Sequence, residues 1–142
     1  VFLFVLTNVE ICLHLAIVYF CIRFKNMKKA FYLSTCSTCV RILKDINHEF
    51  ELQDIKINPV TAEQLDEMYT HTSSYEALFS KRAQKYKSMG LKEQNLQEVD
   101  FKKLLLQEYT FLKRPVFLVD NTIFVGNSKK VIDSLNTYLS DE

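Results

Sequence analysis

Short apolar runs alternate with segments of helical periodicity from residue 28 onward, and this order constrains the fold more than any other feature of the chain. Ala30 to Leu33 form a short apolar run that is typical of a buried strand. Apolar side chains then recur at helical spacing from Val40 to Ile46. The stretch from Phe50 to Ile57 largely alternates apolar and polar side chains, which predicts a second strand. This region therefore begins as β-α-β.

The next segment is predicted to be helical. Thr61, followed three residues later by Gln64, forms a capping-box pattern, which predicts a helix that continues to about Tyr69. Residues 76–109 contain no strand-like run and are predicted to hold two or three short helices, one of which ends at Gly90. These helices form an insertion before the next strands.

The last third of the chain predicts a hairpin and a helix. Residues 116–119 and 123–125 are apolar runs on either side of a tight turn at Asp120 to Thr122. The stretch Gly126-Asn127-Ser128 then caps an amphipathic last helix. The complete order is β-α-β-α, a helical insertion, then β-β-α. This order is typical of the thioredoxin-like α/β fold, a mixed four-stranded sheet flanked by helices.

The composition indicates a folded, packed domain without a strong net charge. The 142 residues are 48% hydrophobic and 25% charged, with two glycines and two prolines, which excludes collagen-like, low-complexity and largely disordered classes. Lys and Arg number 18 against 17 Asp and Glu. Without Arg23, Lys25 and Glu10 of the first 26 residues, the remainder has 16 of each. A neutral domain argues against direct nucleic-acid binding.

Residues 1–26 differ from the rest and predict an apolar N-terminal helix. Residues 1–22 are nearly all apolar and are followed by a basic stretch, so they are long enough to cross a bilayer, which takes about 20 residues. The basic flank would keep the following domain cytoplasmic, while Glu10 would cost roughly 3 kcal/mol inside the membrane. The positive charges follow the apolar run, which does not fit a secretory signal peptide.

Three interpretations of residues 1–26 stay open: an upstream extension, a membrane anchor or a buried helix. Met27 followed by two lysines is typical of an ordinary cytosolic start. We therefore expect an extension or anchor over 1–26 and a second unit, the thioredoxin-like domain, over 27–142. We expect the domain to be cytoplasmic, with membrane contact only if residues 1–26 are inserted.

Two cysteines stand where the first strand gives way to the first helix, in the tetrad Cys36-Ser37-Thr38-Cys39. The positive end of a helix dipole stabilises a sulfur anion, so the pKa of Cys36 should fall from about 8.5 toward neutrality. Cys36 is therefore the candidate nucleophile. Cys39 lies one turn further on the same face and can attack a mixed disulfide formed at Cys36, which makes it the candidate resolving thiol.

Two other interpretations of the cysteine pair are weaker. A zinc site needs two further ligands, but there is no second cysteine pair, and His48 and His71 lack ligand spacing. We therefore expect no metal. Inert buried thiols remain an alternative. Cys12 and Cys21 belong to the apolar segment and are interpreted as small hydrophobic residues.

Arg114 and Pro115 precede the third strand and are the second candidate site feature. In thioredoxin-like folds a proline at this place is cis and faces the cysteine pair, whereas a trans proline would only open the strand. Arg114 would then point at the sulfur, where it could stabilise a thiolate or hold an anion with its planar guanidinium. The alternative is a solvated arginine at the strand entrance.

Several stretches together resemble the arsenate reductase family, including its Spx-type relatives. The resemblance covers residues 28 to about 139. Its motifs are LSTCSTCVRIL, the Pro59, Thr61, Leu65 pattern at the start of a helix, LFSKRAQKYKSMGL and KRPVFLVDNTIFVGNS.

The resemblance implies roles for individual residues. Cys36 matches the family's cysteine that attacks an oxyanion or a disulfide. Spx-type members carry a second cysteine three residues later, and in this respect Cys39 resembles them. The family's basic residue directly after the tetrad is replaced by Val40, with Arg41 one position later.

The family's arsenate-binding arginines are only partly matched. The first falls on Ser80, so that Lys81 or Arg82 would substitute for it, and the second falls near Gly126. Arg114 is the one that stands in place. Ser73 occupies the position of the glycine through which Spx-type regulators bind an RNA polymerase subunit.

These observations predict a thiol-disulfide oxidoreductase that acts on an oxyanion or a disulfide. Cys36 and Cys39 would be catalytic, and Arg114, Pro115, Arg41, Lys81 and Arg82 would bind substrate. We expect no tightly bound cofactor, and electrons from glutathione, glutaredoxin or thioredoxin. The alternatives are an Spx-type redox-switched regulatory or binding protein without turnover, and a degenerate domain kept for packing or assembly.

Overall fold

The computed structural model describes residues 27–46 and 48–141. The expected apolar N-terminal helix, and its interpretations as an extension or an anchor, lie outside these residues. In the part that is described, no helix is both long enough and apolar enough to cross a membrane. The strands are β1 (Lys28–Tyr32), β2 (Glu51–Asp54), β3 (Val116–Val119) and β4 (Thr122–Val125). The helices are α1 (Ser37–Asp45), α2 (Ala62–Thr72), α3 (Tyr75–Leu78), α4 (Gln84–Ser88), α5 (Glu98–Gln107) and α6 (Lys129–Ser140), with 3-10 turns at Leu91–Glu93 and Tyr109–Phe111.

The four strands form one mixed sheet, as predicted, and their order in the sheet is β2-β1-β3-β4. β1 is parallel to β2 and antiparallel to β3, and β3 is antiparallel to β4. Val116 lies opposite Phe31 on one side and Val125 on the other. The end of β1, the start of β3 and the end of β4 therefore meet at one edge of the sheet, which we call the upper edge.

β2 is shorter than the sequence predicts. The sequence predicts a strand over Phe50 to Ile57. The strand ends at Asp54, because the Asp54 side chain turns the backbone. Its Oδ1 accepts a hydrogen bond from the N–H of Lys56 at 3.1 Å, and its carbonyl accepts from the N–H of Ile57 at 3.1 Å. Ile57 is consequently 81% exposed, so the apolar residue that suggested a longer strand is outside the core.

Helices cover both faces of the sheet and produce two cores. On one face, α1 and α6 pack on β1 and β3, with a buried cluster of Ala30, Ile42, Ile46, Phe117, Val119, Leu135 and Leu139. On the other face, α2 and the insertion bury a larger cluster that includes Phe31, Leu65, Met68, Phe79, Phe101, Phe111 and Leu118. Burial of apolar area on both faces fixes the sheet between them.

Local capping signals set the ends of the helices. The N–H of Gln64 donates to Thr61 Oγ1 at 3.3 Å while Gln64 Oε1 accepts from the N–H of Thr61 at 3.2 Å, which confirms the predicted capping box of α2. α2 continues to Thr72, three residues beyond the expected end. Ser128 caps α6 as predicted, and Gly90, at φ 62°, follows the end of α4.

The insertion is built around aromatic rings, and its short helices were predicted. The ring of Phe79 lies 5.9 Å from Tyr86, 5.1 Å from Phe101 and 4.8 Å from Phe111, measured between centroids. Only 1% of Phe79 is exposed. Aromatic packing of this kind adds to the free energy of area burial, so the insertion, which includes α5, is held as one unit against the segment before β3.

Candidate functional site

Cys36 lies at the upper edge of the sheet, where β1 passes into α1. It is the N-cap residue of α1, its N–H donates to the Leu33 carbonyl at 2.9 Å, and its own carbonyl accepts from the N–H of Val40 at 3.1 Å. The first turn of α1 contains no acidic residue. Cys36 is half-buried, so its sulfur is positioned by the helix start and remains accessible.

Opposing influences act on the thiol of Cys36, and their sum lowers its pKa. Burial acts to raise the pKa. The backbone N–H and the thiol of Cys39, the backbone N–H of Thr38 and the positive charge of Arg114 all favour the thiolate and outweigh burial. The direction agrees with the expectation from the helix start.

Cys39 has the opposite character. Only 1% of its surface is exposed. Burial, followed by the interaction with Cys36, raises the pKa of the Cys39 thiol to about 11. The two sulfurs one turn apart are therefore unequal: Cys36 ionises readily and Cys39 stays protonated as a partner that can donate to the Cys36 thiolate.

The Arg114–Pro115 peptide bond is cis, as the sequence argument predicted. Pro115 is buried, and its carbonyl accepts a hydrogen bond from the N–H of Gly126 at 2.8 Å. Because Gly126 follows β4 and Pro115 precedes β3, this bond extends the hairpin to the upper edge of the sheet. Gly126 has φ 97°, a conformation that glycine adopts without a steric penalty.

Arg114 carries the electrostatic feature of the site. Its guanidinium contributes to the lowered pKa of Cys36. Its Nη1 is buried and makes no hydrogen bond within the described part of the chain. A buried donor without a partner is costly, and an anionic substrate group could satisfy it.

A cleft of about 850 Å³ opens beside Cys36. Three other segments of the chain line it: the insertion between Ser74 and Arg82, the residues Leu112 to Arg114 before β3, and Val125 to Ser128 after β4. Of the candidate residues from the sequence, Cys36, Lys81, Arg82 and Arg114 thus share one cleft.

Arg41 does not lie in this cleft. It lines a separate shallow depression on the outer side of α1, with Ser34, Thr35, Ser37, Val40, Lys44 and Asp45. Its position one residue beyond Val40 turns it roughly 100° around the helix relative to that residue. The structure therefore separates Arg41 from the other proposed substrate-binding cations.

A short antiparallel contact holds the insertion against the segment that carries Arg114. Phe79 and Leu112 form an isolated β-bridge. The N–H of Ser80 donates to the Phe111 carbonyl at 2.6 Å, and the N–H of Lys113 donates to the Leu78 carbonyl at 2.8 Å. These bonds fix the cations of the insertion on the same cleft as Arg114.

Sequence reasoning missed two charged residues of the cleft. Lys113 lines it and donates from Nζ to the Ala77 carbonyl at 2.9 Å. Glu76 lines it and pairs through Oε1 with Lys81 Nζ at 2.6 Å. The basic run Lys113-Arg114 before Pro115 was a usable signal for Lys113. Nothing in the local sequence marks Glu76, because its place in the cleft depends on how the insertion packs.

Metal ligands do not cluster in the part of the chain that the structure describes. Among residues 27–46 and 48–141, no three His, Cys, Asp or Glu side chains come together in a way that could hold a metal ion. His48 and His71 likewise form no such group.

Solved structures share this fold over most of the chain. An ArsC-family-related protein from Bacteroides fragilis superposes with a TM-score of 0.67 at 20% identity, covering 78% of this chain and 98% of the other. A possible arsenate reductase from Streptococcus mutans gives 0.64 at 24% identity, with coverage of 78% and 98%. The arsenate reductase from Vibrio cholerae gives 0.63 at 12% identity, with coverage of 78% and 96%. At these identities the likeness establishes the fold, which is thioredoxin-like.

Sequence comparison identifies the family. Among proteins with curated descriptions, none matches the chain significantly. The family model of the ArsC family matches residues 31–135, which include the cysteine pair, the insertion, Arg114 and Pro115. The chain belongs to the ArsC family, a family of thiol-based redox proteins.

Proposed function

We propose that the protein is a thiol-disulfide oxidoreductase in which Cys36 is the nucleophile and Cys39 the resolving thiol. The observation that carries the proposal is the position of Cys36, a half-buried cysteine with a lowered pKa in a cleft that also contains Arg114. A thiolate that is both accessible and stabilised is the requirement for attack on a disulfide or an oxyanion.

The first step forms a bond between Cys36 and the substrate. The thiolate attacks one sulfur of a disulfide, a mixed disulfide forms, and the other sulfur leaves as a thiolate. With an oxyanion, the thiolate bonds to the central atom, and one oxygen leaves as water after protonation. Arg114, together with Lys81 and Arg82, would orient the negative group of the substrate, which is supported by the position of all three in the lining of the cleft.

Cys39 completes the second step. Its sulfur attacks Cys36, the Cys36–Cys39 disulfide forms, and the electron pair leaves with the substrate group, which takes up the proton of Cys39. The pair then carries the two-electron oxidation. The negative charge of the Cys36 thiolate contributes to the raised pKa of Cys39, so loss of that charge in the mixed disulfide lowers the pKa of Cys39 when it must react.

The electron donor is proposed to be glutathione, glutaredoxin or thioredoxin. Each can reduce a Cys36–Cys39 disulfide by thiol exchange, with two glutathione molecules or one protein dithiol supplying the two electrons. No tightly bound cofactor is needed for these steps. We place the activity in the cytoplasm, where such donors keep thiols reduced.

Single-cysteine variants test the assignment. With a model disulfide or arsenate as substrate and each donor in turn, Cys36→Ser should abolish turnover. Cys39→Ser should retain the first step and accumulate a mixed disulfide, which is seen as a mass increase on Cys36. Equal residual turnover in the two variants would contradict these roles.

A redox switch without turnover is the second candidate function. The burial of Cys39 and its pKa of about 11 favour it, because a buried and protonated thiol resolves a mixed disulfide slowly. Oxidation of the pair would remove the thiolate at the start of α1 and alter a surface for a protein partner, as in Spx-type proteins. Stoichiometric oxidation of the pair, with no catalytic reduction of any substrate, would favour the switch.

A further inference from the structure

The cleft beside Cys36 is cationic, but it contains one opposing charge. Lys81, Arg82, Lys113 and Arg114 line it. Of the described residues that line it, Glu76 is the one with a carboxylate. An acidic side chain in such a cleft affects which charged compounds can bind there.

Glu76 is engaged with one particular cation. Its Oε1 lies 2.6 Å from Lys81 Nζ, and the two side chains are 49% and 53% exposed. The contact raises the pKa of Lys81 above its ordinary value through the hydrogen bond and the charge of Glu76. A fixed pair presents little net charge to a third group, so Lys81 is partly withdrawn from substrate binding.

The remaining cations are not equally available. Lys113 directs its Nζ to the Ala77 carbonyl at 2.9 Å. Arg114 keeps a buried Nη1 that has no hydrogen-bond partner among the described residues. Arg82 is exposed and makes no ion pair within residues 27–46 and 48–141. Both arginines line the cleft, and a guanidinium binds carboxylates and tetrahedral oxyanions alike, so the arginines do not by themselves select against a dianion.

We propose that Glu76 is a specificity-determining residue that, by pairing with Lys81, disfavours inorganic dianions relative to neutral disulfides as the substrates of Cys36. This inference rests on the proposed function, because it concerns which compounds reach the thiolate. The attraction that an unpaired Lys81 would exert scales with the charge of the ligand, so its cancellation by Glu76 weakens the binding of a tetrahedral dianion about twice as much as that of a monoanion. A neutral disulfide is not penalised.

Two alkylating reagents of similar size measure the effect without turnover. In the full chain, the Cys36 thiolate displaces iodide from anionic iodoacetate or from neutral iodoacetamide, and the modified cysteine is identified by fragment mass spectrometry. The ratio of the two rates reports the potential in the cleft, because the neutral reagent corrects for changes in thiolate fraction. Glu76→Gln should raise the iodoacetate-to-iodoacetamide ratio about two- to fourfold at low ionic strength, with a smaller increase at high salt.

Charge-matched variants provide the controls. Glu93→Gln removes the same charge from an exposed residue outside the cleft, and the ratio should stay unchanged. Lys81→Gln should lower the ratio, and the double variant of Glu76 and Lys81 should return it close to the native value. An unchanged ratio in Glu76→Gln, or a rise equal to that of Glu93→Gln, would overturn the inference.

Protection experiments test the dianion preference directly. Sulfate and acetate are added as probes, and the concentration that halves the iodoacetamide rate at Cys36 is measured. Glu76→Gln should lower this concentration more for sulfate than for acetate, and an equal effect on both would contradict the proposed selectivity. The proposed function fails separately: it would be contradicted if Cys36 reacted with iodoacetamide no faster than an ordinary thiol, whatever the ratio of the two reagents.

Discussion

Cys36 and Cys39 are the same residue type, one turn apart, and their surroundings move their pKa values in opposite directions. The pKa of Cys36 is lowered, so its contribution to folding stability is present above the ordinary thiol value and is lost as the pH falls through the lowered pKa. The pKa of Cys39 is raised to about 11, so its contribution is complete below the ordinary value and is lost as the pH rises through 11. Between the lowered pKa of Cys36 and a pH of about 11, the pair shares one proton, which is held by Cys39.

The shared proton should be visible in the pH dependence of alkylation. The midpoint for alkylation of Cys36 by iodoacetamide should lie below the ordinary thiol pKa of about 8.5. In Cys36→Ser, the midpoint of Cys39 should fall below the value of about 11, because the neighbouring thiolate charge has been removed. Both midpoints are obtained from the pH dependence of the alkylation rate. A Cys36 midpoint at or above that of free cysteine would contradict the assignment.

Arg114 should control both the pKa of Cys36 and the reaction with anionic substrates. Arg114→Ala removes both a charge that lowers the Cys36 pKa and the donor Nη1, so reaction with an anionic disulfide should slow about tenfold, as expected when a charge-assisted hydrogen bond of about 1.5 kcal/mol is lost. The pH midpoint of Cys36 alkylation should rise. Arg41→Ala is the matched control, because Arg41 lies in a different depression and should leave both quantities unchanged. Equal effects of the two substitutions would disprove the role of Arg114.

At the scale of single elements, helix α2 depends on its capping box. Thr61→Ala removes the side chain that accepts from the N–H of Gln64, so it should lower the free energy of unfolding by about 1 kcal/mol. The measurement is urea denaturation followed by circular dichroism. Thr70→Ala in the same helix is the control: its hydroxyl donates to the Glu67 carbonyl within the helix, and its loss should change stability by less than about 0.5 kcal/mol.

Local signals explain which elements the sequence predicts well. The starts of α2 and α6 follow from Thr61 and Ser128, because a capping side chain acts on residues within one turn. The end of β2 is harder to predict from the sequence, because alternation alone does not reveal that the Asp54 side chain turns the chain before Ile57. Sequence alternation therefore overestimates the length of this strand.

The candidate site likewise contains residues that the sequence predicts and residues that it does not. Cys36, Cys39 and Pro115 carry signals at the junctions of strands, and their placement at one edge follows from topology. Arg41 and Glu76 carry no such signal, because whether a residue lines the cleft depends on contacts between the insertion and the segment before β3. The decisive contact, the bridge between Phe79 and Leu112, joins residues more than thirty positions apart, beyond the reach of periodicity.

At the scale of the molecule, the insertion connects stability to the cleft through Phe79. Phe79→Ala leaves a cavity among three aromatic rings and should cost about 3–5 kcal/mol in the free energy of unfolding, measured by urea denaturation. The milder Phe79→Leu should lower stability by a smaller amount and also change the iodoacetate-to-iodoacetamide ratio, since it loosens the segment that carries Lys81 and Arg82. Leu106→Ala, at a residue 39% exposed, is the control and should have a small effect on both. If Phe79→Ala cost no more than Leu106→Ala, the insertion would not depend on this ring.

The direction in which the chain enters the sheet has a practical consequence. The N–H of Asp120 donates to the Met27 carbonyl at 3.0 Å, which places the entrance of β1 beside the β3–β4 turn. From there β1 runs about 17 Å over its five residues toward the end of the sheet at which Cys36 lies. A dye or fusion partner attached directly at Met27 would thus lie at the end of β1 remote from the reactive sulfur, and a sample immobilised through it would leave the cleft open to a bulky protein donor.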